Sequence, residues 1–148
     1  MSYNHILVAV DTSDESEHIM NTAKRLMGSE GASMTIVTVI QPLTGFYVDL
    51  YSTLGDPKGI ESHAVKQAQA SLSELASRHG VSQDSIEVVV GTPAKEIRKL
   101  AESRGVDAIV LGTHGQHGLG LMLGSTANAV LHGACCDVLS VRVGKAGD

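Results

Sequence analysis

The chain has 148 residues, of which 18% are charged, and its formal net charge is −5 at pH 7. This length fits a single buried core, and we expect one domain over residues 1–148. The acidic balance and the lack of any basic run argue against nucleic acid or an anionic membrane as the main partner. The longest apolar run, residues 6–10, is far too short to span a membrane, and no secretory leader precedes it, so we expect a cytoplasmic protein.

Aliphatic residues must build the core, because the chain has no Trp and a single Phe. That composition is typical of a buried parallel sheet covered by helices on both faces. The two cysteines, Cys135 and Cys136, are adjacent, so they cannot form an unstrained disulfide with each other. We interpret them as small residues buried ahead of the last strand. We expect no metal site, because no Cys-x2-Cys spacing is present.

Five short apolar segments predict β-strands at residues 6–10, 34–40, 86–90, 108–111 and 138–143. Four segments with apolar residues at helical spacing lie between them and predict helices at residues 14–26, 60–79, 93–103 and 125–132. The alternation of strand and helix indicates an α/β fold with one open, doubly wound parallel sheet. In such sheets ligands bind beyond the carboxyl ends of the strands, where the strand order reverses.

Asp11 follows the first predicted strand, at the edge of the sheet where a ligand would bind. Its carboxylate suits the two hydroxyls of a ribose, and backbone groups around Val10 and Val39 could pair with an adenine edge. In the sequence Asp-Thr-Ser-Asp the same carboxylate could instead cap the first helix, and the sequence leaves that alternative open.

Residues 41–58 form a connection that is long for a compact domain. The connection holds two prolines and two glycines, together with Phe46, Tyr47 and Tyr51. We interpret it as a mobile lid beside the ligand crevice or, with equal weight, as a surface excursion.

The segment from Gly112 to Ser125 joins the fourth strand to the last helix and is rich in glycine. Glycine lets backbone N–H groups approach a ligand closely, and a helix N-terminus offers free N–H donors with a partial positive charge. Gly115, Gly124 and Ser125 are therefore candidate contacts to phosphate groups. With Asp11 across the crevice, the pattern indicates an adenine nucleotide.

Several segments together resemble the universal stress proteins, and the resemblance covers almost the whole chain. They are residues 5–16 (HILVAVDTSDES), 91–94 (GTPA), 106–115 (VDAIVLGTHG), 123–126 (LGST) and 136–143 (CDVLSVRV). The resemblance implies an adenine nucleotide alpha hydrolase-like fold, with a five-stranded parallel sheet of order 3-2-1-4-5. It also implies a stress-response regulator that forms a homodimer by antiparallel pairing of the last strand, from Val138 to Val143.

Nucleotide-binding members of that family share the motif Gly-x2-Gly-x9-Gly-Ser/Thr. By matching positions, the resemblance implies adenine and ribose contacts at Ala9, Val10, Asp11 and Val39. It implies phosphate contacts at Gly112, Gly115, Gly124, Ser125 and Thr126, with Leu111 lining the site.

The chain departs from this motif, because only eight residues separate Gly115 from Gly124. One missing residue shortens the reach of the loop by up to about 3.5 Å. No Lys or Arg occurs between residues 106 and 141, so ATP would depend on backbone donors, His114, His117, Ser125 and a bound Mg²⁺. ATP, ADP, AMP and no nucleotide at all therefore stay open as alternatives.

Two functions follow from these patterns. The first is a non-catalytic switch that binds an adenine nucleotide. The alternative is a nucleotide-free dimeric adaptor, similar to the A-type bacterial members, which acts through an unknown protein partner. No general base is marked in the sequence, so we expect no enzyme activity beyond a slow ATPase.

Overall fold

Strands and helices alternate along the chain in the computed structural model, which describes residues 3–11, 15–27, 31–42, 57–112 and 125–143. The elements are β1 (His5–Ala9), α1 (Ser16–Leu26), β2 (Ser33–Ile40), α2 (Pro57–Arg78), a short 3-10 helix (Gln83–Ser85), β3 (Ile86–Val90), α3 (Pro93–Arg104), β4 (Ala108–Gly112), α4 (Ser125–Gly133) and β5 (Asp137–Val141). Each of the five predicted strands and four predicted helices is therefore present.

The strands form one sheet in the order β3-β2-β1-β4-β5, and every neighbouring pair is parallel. This arrangement confirms the predicted fold class and strand order. β1 lies at the centre and pairs with β2 on one side and with β4 on the other. The strand order therefore reverses between β1 and β4, which is where sheets of this type open a ligand crevice.

The bounds of the elements differ from the predicted ones by up to three residues. Helix α2 begins at Pro57, before the predicted start at residue 60, because proline fits the first turn of a helix. The prediction that the last strand runs from Val138 to Val143 is wrong at its end, since β5 stops at Val141. Val141 pairs with Gly112, the last residue of β4, so β5 ends where its neighbour ends.

The side chains of β1 alternate between two hydrophobic layers, one on each face of the sheet. Ile6 and Val8 pack in the layer that contains the buried residues of α1 and α2. Leu7 packs in the layer that contains the buried residues of α3 and α4. All three side chains are 0% exposed, so both faces of the central strand are removed from water, as the composition predicted.

A carboxylate fixes the amino end of the central strand. Asp107, directly before β4, accepts hydrogen bonds from the backbone N–H groups of Asn4 and His5, each at 2.9 Å. Its own N–H donates to the His5 carbonyl at 3.0 Å. The hydrogen bond from the Asn4 amide, followed by that from His5, holds the pKa of Asp107 below its usual value. These contacts align β4 with β1 one residue before their ladder begins, at Ile6 and Ala108.

We predict that Asp107→Ala lowers the free energy of unfolding by about 1 kcal/mol at pH 7, because two backbone donors lose a charged acceptor that water partly screens. The folded-state pKa of Asp107 is depressed. Its contribution to the free energy of unfolding is therefore complete above the unfolded-state pKa, about 3.8, and is lost as the pH falls through the lower folded-state value.

Urea unfolding of the wild type and Asp107→Ala across pH 7 to 2 measures this contribution. The stability difference between the two proteins should shrink below about pH 4. Glu102→Ala, which removes an exposed carboxylate from α3, serves as the control and should show no such trend. A constant difference at every pH would show that the carboxylate charge is not what stabilises this edge.

Candidate functional site

The carboxyl ends of β1 and β4 stand at nearly the same level, and β2 continues three residues further, to Ile40. Ala9 of β1 pairs with Val37 of β2 and with Leu111 of β4. The Val10 N–H donates to the Val37 carbonyl at 2.9 Å, so the pairing of β1 with β2 continues one residue beyond the strand. The chain therefore leaves the sheet at Asp11, at the reversal of strand order where α/β sheets bind ligands.

The side chains at this edge divide between the two faces of the sheet. Leu111 is buried in the layer under α3 and α4, and Ala9 and Val39 are half-buried against the same layer. Val10 belongs to the opposite layer and is 6% exposed. A ligand on the α4 side of the edge could therefore contact the side chains of Ala9, Val39 and Leu111, but only the backbone of Val10.

Asp11 is half-buried at the end of β1. The N-cap position of α1 is held by Glu15, which makes no side-chain capping hydrogen bond. Asp11 lies four residues earlier in the chain, at the edge of the sheet where the parallel strands end, which we call the carboxyl edge. A helix-capping role and a ribose contact both stay predictions for its carboxylate.

Helix α4 brings its first turn to the same edge. Because β4 and β5 are parallel, the helix between them runs back across the sheet from the carboxyl edge. Ser125 is exposed and Thr126 is half-buried, whereas Ala127 is buried in the layer that also contains Leu111. This first turn carries no acidic side chain, so its free N–H groups and the positive end of the helix dipole favour an anion.

One part of the predicted site lies within the described residues and another part does not. The described part comprises residues on β1, β2, β4 and α4 or directly after β1, namely Ala9, Val10, Asp11, Val39, Leu111, Gly112, Ser125 and Thr126. His114, His117, Gly115 and Gly124 lie outside the described residues, as do Phe46, Tyr47 and Tyr51 of the long connection. The individual ligand contacts of all these residues stay predictions.

An arginine side chain of α3 contacts α4. Arg98 of α3 donates from Nη1 to the carbonyl of Ala129, the middle residue of α4, at 2.9 Å, and its side chain lies against Gly133 at the end of that helix. This position supplies charge to the carboxyl-terminal half of the helix and not to the predicted phosphate contacts. Sequence reasoning missed Arg98, because its partner is 31 positions away and nothing local to α3 marks the contact.

The adjacent cysteines lie just before β5, at the opposite edge of the sheet from the predicted site. Cys136 is half-buried, and burial, followed by the neighbouring Cys135 thiol, raises its pKa to about 11. Cys135 is exposed, so the prediction that both cysteines are buried is wrong for this residue. The described ranges contain no group of three or more His, Cys, Asp or Glu residues that could hold a metal ion.

Among the described residues, none of the helices combines the length and the apolar character that crossing a membrane requires. The longest of them, α2, places charged and polar residues along much of its surface.

Known proteins similar to this chain were found at the level of family, sequence and structure. The model of the Universal stress protein family matches residues 2–142. Universal stress protein A homolog 2 of Coxiella burnetii (strain RSA 493 / Nine Mile phase I) is 36% identical over 143 residues, covering 96% of this chain and 97% of that protein.

Two solved structures extend the comparison. Hypothetical protein MJ0577 superposes with a TM-score of 0.81 at 24% identity, over 99% of this chain and 100% of that chain, and so shares the fold. A universal stress protein solved in complex with cAMP superposes with a TM-score of 0.58 at 26% identity, over 95% of this chain and 98% of that chain. Each superposition covers nearly the full length of both chains.

Proposed function

The chain belongs to the universal stress protein family, and on this premise we propose that it is a regulatory protein that binds an adenine nucleotide. The observation that carries the proposal is the meeting of β1, β4 and α4 at the carboxyl edge. There the half-buried Ala9, the half-buried Gly112 and the exposed Ser125 lie on neighbouring elements. A similar fold from the same family has been solved with cAMP, which supports the choice of ligand class.

Each part of the nucleotide has a proposed set of contacts. The Asp11 carboxylate accepts hydrogen bonds from the ribose hydroxyls, and the backbone at Val10 and Val39 pairs with adenine. Ala9 and Leu111 provide an apolar surface for the base. The phosphates lie against the glycine-rich loop and the first turn of α4, through Gly112, His114, Gly115, Gly124, Ser125 and Thr126.

The charges near the site favour a short phosphate chain. No Lys or Arg occurs between residues 106 and 141, so the phosphates are held by backbone N–H groups and hydroxyls. Such donors offset one or two negative phosphates more readily than three, and ATP would need Mg²⁺ to reduce its charge. We therefore propose AMP or ADP as the preferred ligands, with Mg²⁺–ATP as the weaker one.

We predict that Asp11→Ala and Gly112→Val each weaken binding of ADP by at least about tenfold. The first removes a charged acceptor, and the second adds a β-branched side chain at the end of β4, where a strand accommodates it. Asp84→Ala, at an exposed carboxylate in the short 3-10 helix, is the matched control and should bind as the wild type does.

Isothermal titration calorimetry with AMP, ADP and Mg²⁺–ATP measures these affinities, and circular dichroism checks that each variant is folded. Mass spectrometry of the nucleotide extracted from freshly purified protein gives an independent readout. A wild type that carries no nucleotide and binds none up to about millimolar concentration would rule out the proposed function.

We also propose that the protein assembles as a homodimer through β5. β5 is an edge strand of the sheet, and its central residue Leu139 is 36% exposed. Leu131 of α4 is also exposed, at 45%. An edge strand with an exposed apolar side chain is covered in most proteins, and antiparallel pairing with a second copy of β5 would cover this edge.

We predict that Leu139→Asp converts the dimer to a monomer, because two carboxylates would meet at the centre of the paired edge strands. Val90→Asp is the matched control, since Val90 is a similarly exposed residue on β3, the other edge strand, at 38%. Light scattering after size-exclusion chromatography measures the mass. A monomeric wild type, or a Leu139→Asp variant that stays dimeric, would show that β5 is not the interface.

The second candidate function is a nucleotide-free dimeric adaptor that acts on a protein partner. The shortened loop and the lack of basic residues near the predicted phosphate contacts favour it. The same β5 interface serves both functions, so the calorimetric result decides between them. A dimer that binds no nucleotide is the outcome that the adaptor requires.

A further inference from the structure

Helix α4 is short and depends on its neighbours for its position. It has nine residues, and helices of this length are not stable in isolation. Only two of its side chains, Ala127 and Val130, are buried in the layer against the sheet, at 1% and 0% exposure. Packing of two small or branched side chains is not directional, so it leaves the axial position of the helix weakly determined.

Arg98 adds a directional contact to this packing. Its guanidinium donates from Nη1 to the Ala129 carbonyl at 2.9 Å. A Cβ atom at Gly133 would lie 2.9 Å from both Cδ and Cζ of Arg98, closer than real Cβ contacts allow. The guanidinium therefore occupies the space that a side chain at Gly133 would take, and the glycine lets it lie against the last turn of α4.

Helix α3, which carries Arg98, is held in place by packing and by contacts at its end. Ala94, Ile97 and Ala101 are buried in the same layer as Ala127 and Val130. The helix ends at Gly105, whose φ of 62° is left-handed, and the Val106 N–H then bonds to the Ala101 carbonyl at 3.1 Å. Arg104 pairs with Glu87 of β3, which ties the end of α3 to the sheet.

We infer that Arg98 is a positioning residue that sets the place of α4 along its axis, and with it the direction of the first-turn N–H groups toward the nucleotide. Ala129 lies one turn, about 6 Å, from Ser125 along the helix, so a shift at Ala129 is transmitted to Ser125 and Thr126. The positive guanidinium also complements the carboxyl end of the helix dipole. This inference rests on the proposed function, since it assigns Arg98 to the phosphate half of that site.

The inference separates the phosphate contacts from the adenosine contacts. Ala9 belongs to β1 and Val39 to β2, and Asp11 follows β1, so the strand ladders and not α4 hold the backbone of these residues. A displaced α4 should therefore weaken binding of the phosphates and leave binding of adenosine intact. A residue needed only for overall folding would weaken both ligands together.

The test compares Arg98→Met, Arg98→Lys and Gly133→Ala by calorimetry with ADP and with adenosine. Arg98→Met should bind ADP about tenfold more weakly, because its side chain has no donor, and should bind adenosine within about twofold of the wild type. Arg98→Lys should recover part of the ADP affinity through its ammonium group. Gly133→Ala, which displaces the guanidinium while favouring the helix, should reproduce the loss.

Arg104→Met is the matched control, because it removes the other arginine of α3 that pairs with a neighbouring element, and it should keep the ADP affinity of the wild type. Amide hydrogen exchange without nucleotide gives a second readout. Exchange in α4 should rise in Arg98→Met, while exchange in β1 and β4 stays unchanged.

Each outcome decides one of the two claims. Three results would each overturn the positioning role while the nucleotide function stands. They are equal ADP affinity in Arg98→Met and the wild type, equal losses of affinity for ADP and adenosine, and unchanged amide exchange in α4. A wild type that binds neither ligand would overturn the proposed function and the positioning role with it. If circular dichroism shows that Arg98→Met is unfolded, Arg98→Lys and Gly133→Ala decide the question in the same way.

Discussion

The structure depends on the parallel pairing of β1 with both of its neighbours. Ile6, Leu7 and Val8 are 0% exposed, so this strand is the centre of both hydrophobic layers. Its ladders with β2 and β4 place Ala9 level with Leu111 and bring three strand ends to one edge. The Asp107 carboxylate holds the opposite end of the ladder by binding two backbone amides of the β1 segment. A one-residue slip would exchange the two faces of the strand and move every contact at the carboxyl edge.

The proposed site follows from this pairing and from the helix that returns from β4. Side-chain alternation gives the α4 side an apolar surface at Ala9, Val39 and Leu111, while Val10 is buried on the other face. The first turn of α4 offers N–H groups without an acidic neighbour. A ligand with a flat apolar base, a diol and a short anionic tail matches the surfaces that these elements expose. Arg98 binds the carbonyl of the middle residue of α4 and lies against Gly133, its last residue. The role proposed for Arg98 is therefore to orient the backbone donors and not to neutralise phosphate.

The sequence predicted the elements because their patterns are local. Strands such as residues 86–90 are short aliphatic runs, and helix ends such as Gly105 carry their own stop signal, so each could be identified from neighbouring residues. The family motifs then predicted the strand order. The contact from Arg98 to Ala129 and the exposure of Cys135 could not be predicted, because both depend on how elements distant in the chain pack together. The end of β5 was predicted two residues too late, because the apolar alternation of the sequence continues to Val143 whereas β5 stops at Val141.

The proposed function requires that an adenine nucleotide binds where β1, β4 and α4 meet. A titration of ¹⁵N-labelled protein with ADP, followed by the backbone amide signals, tests it most directly. The largest shifts should fall at residues 9–11, Val39, Gly112 and the first turn of α4. The signals of Asn4 and Asp107, at the opposite edge of the sheet, should stay unchanged. Saturation with no shift at the carboxyl edge, or shifts confined to the amino edge, would contradict it.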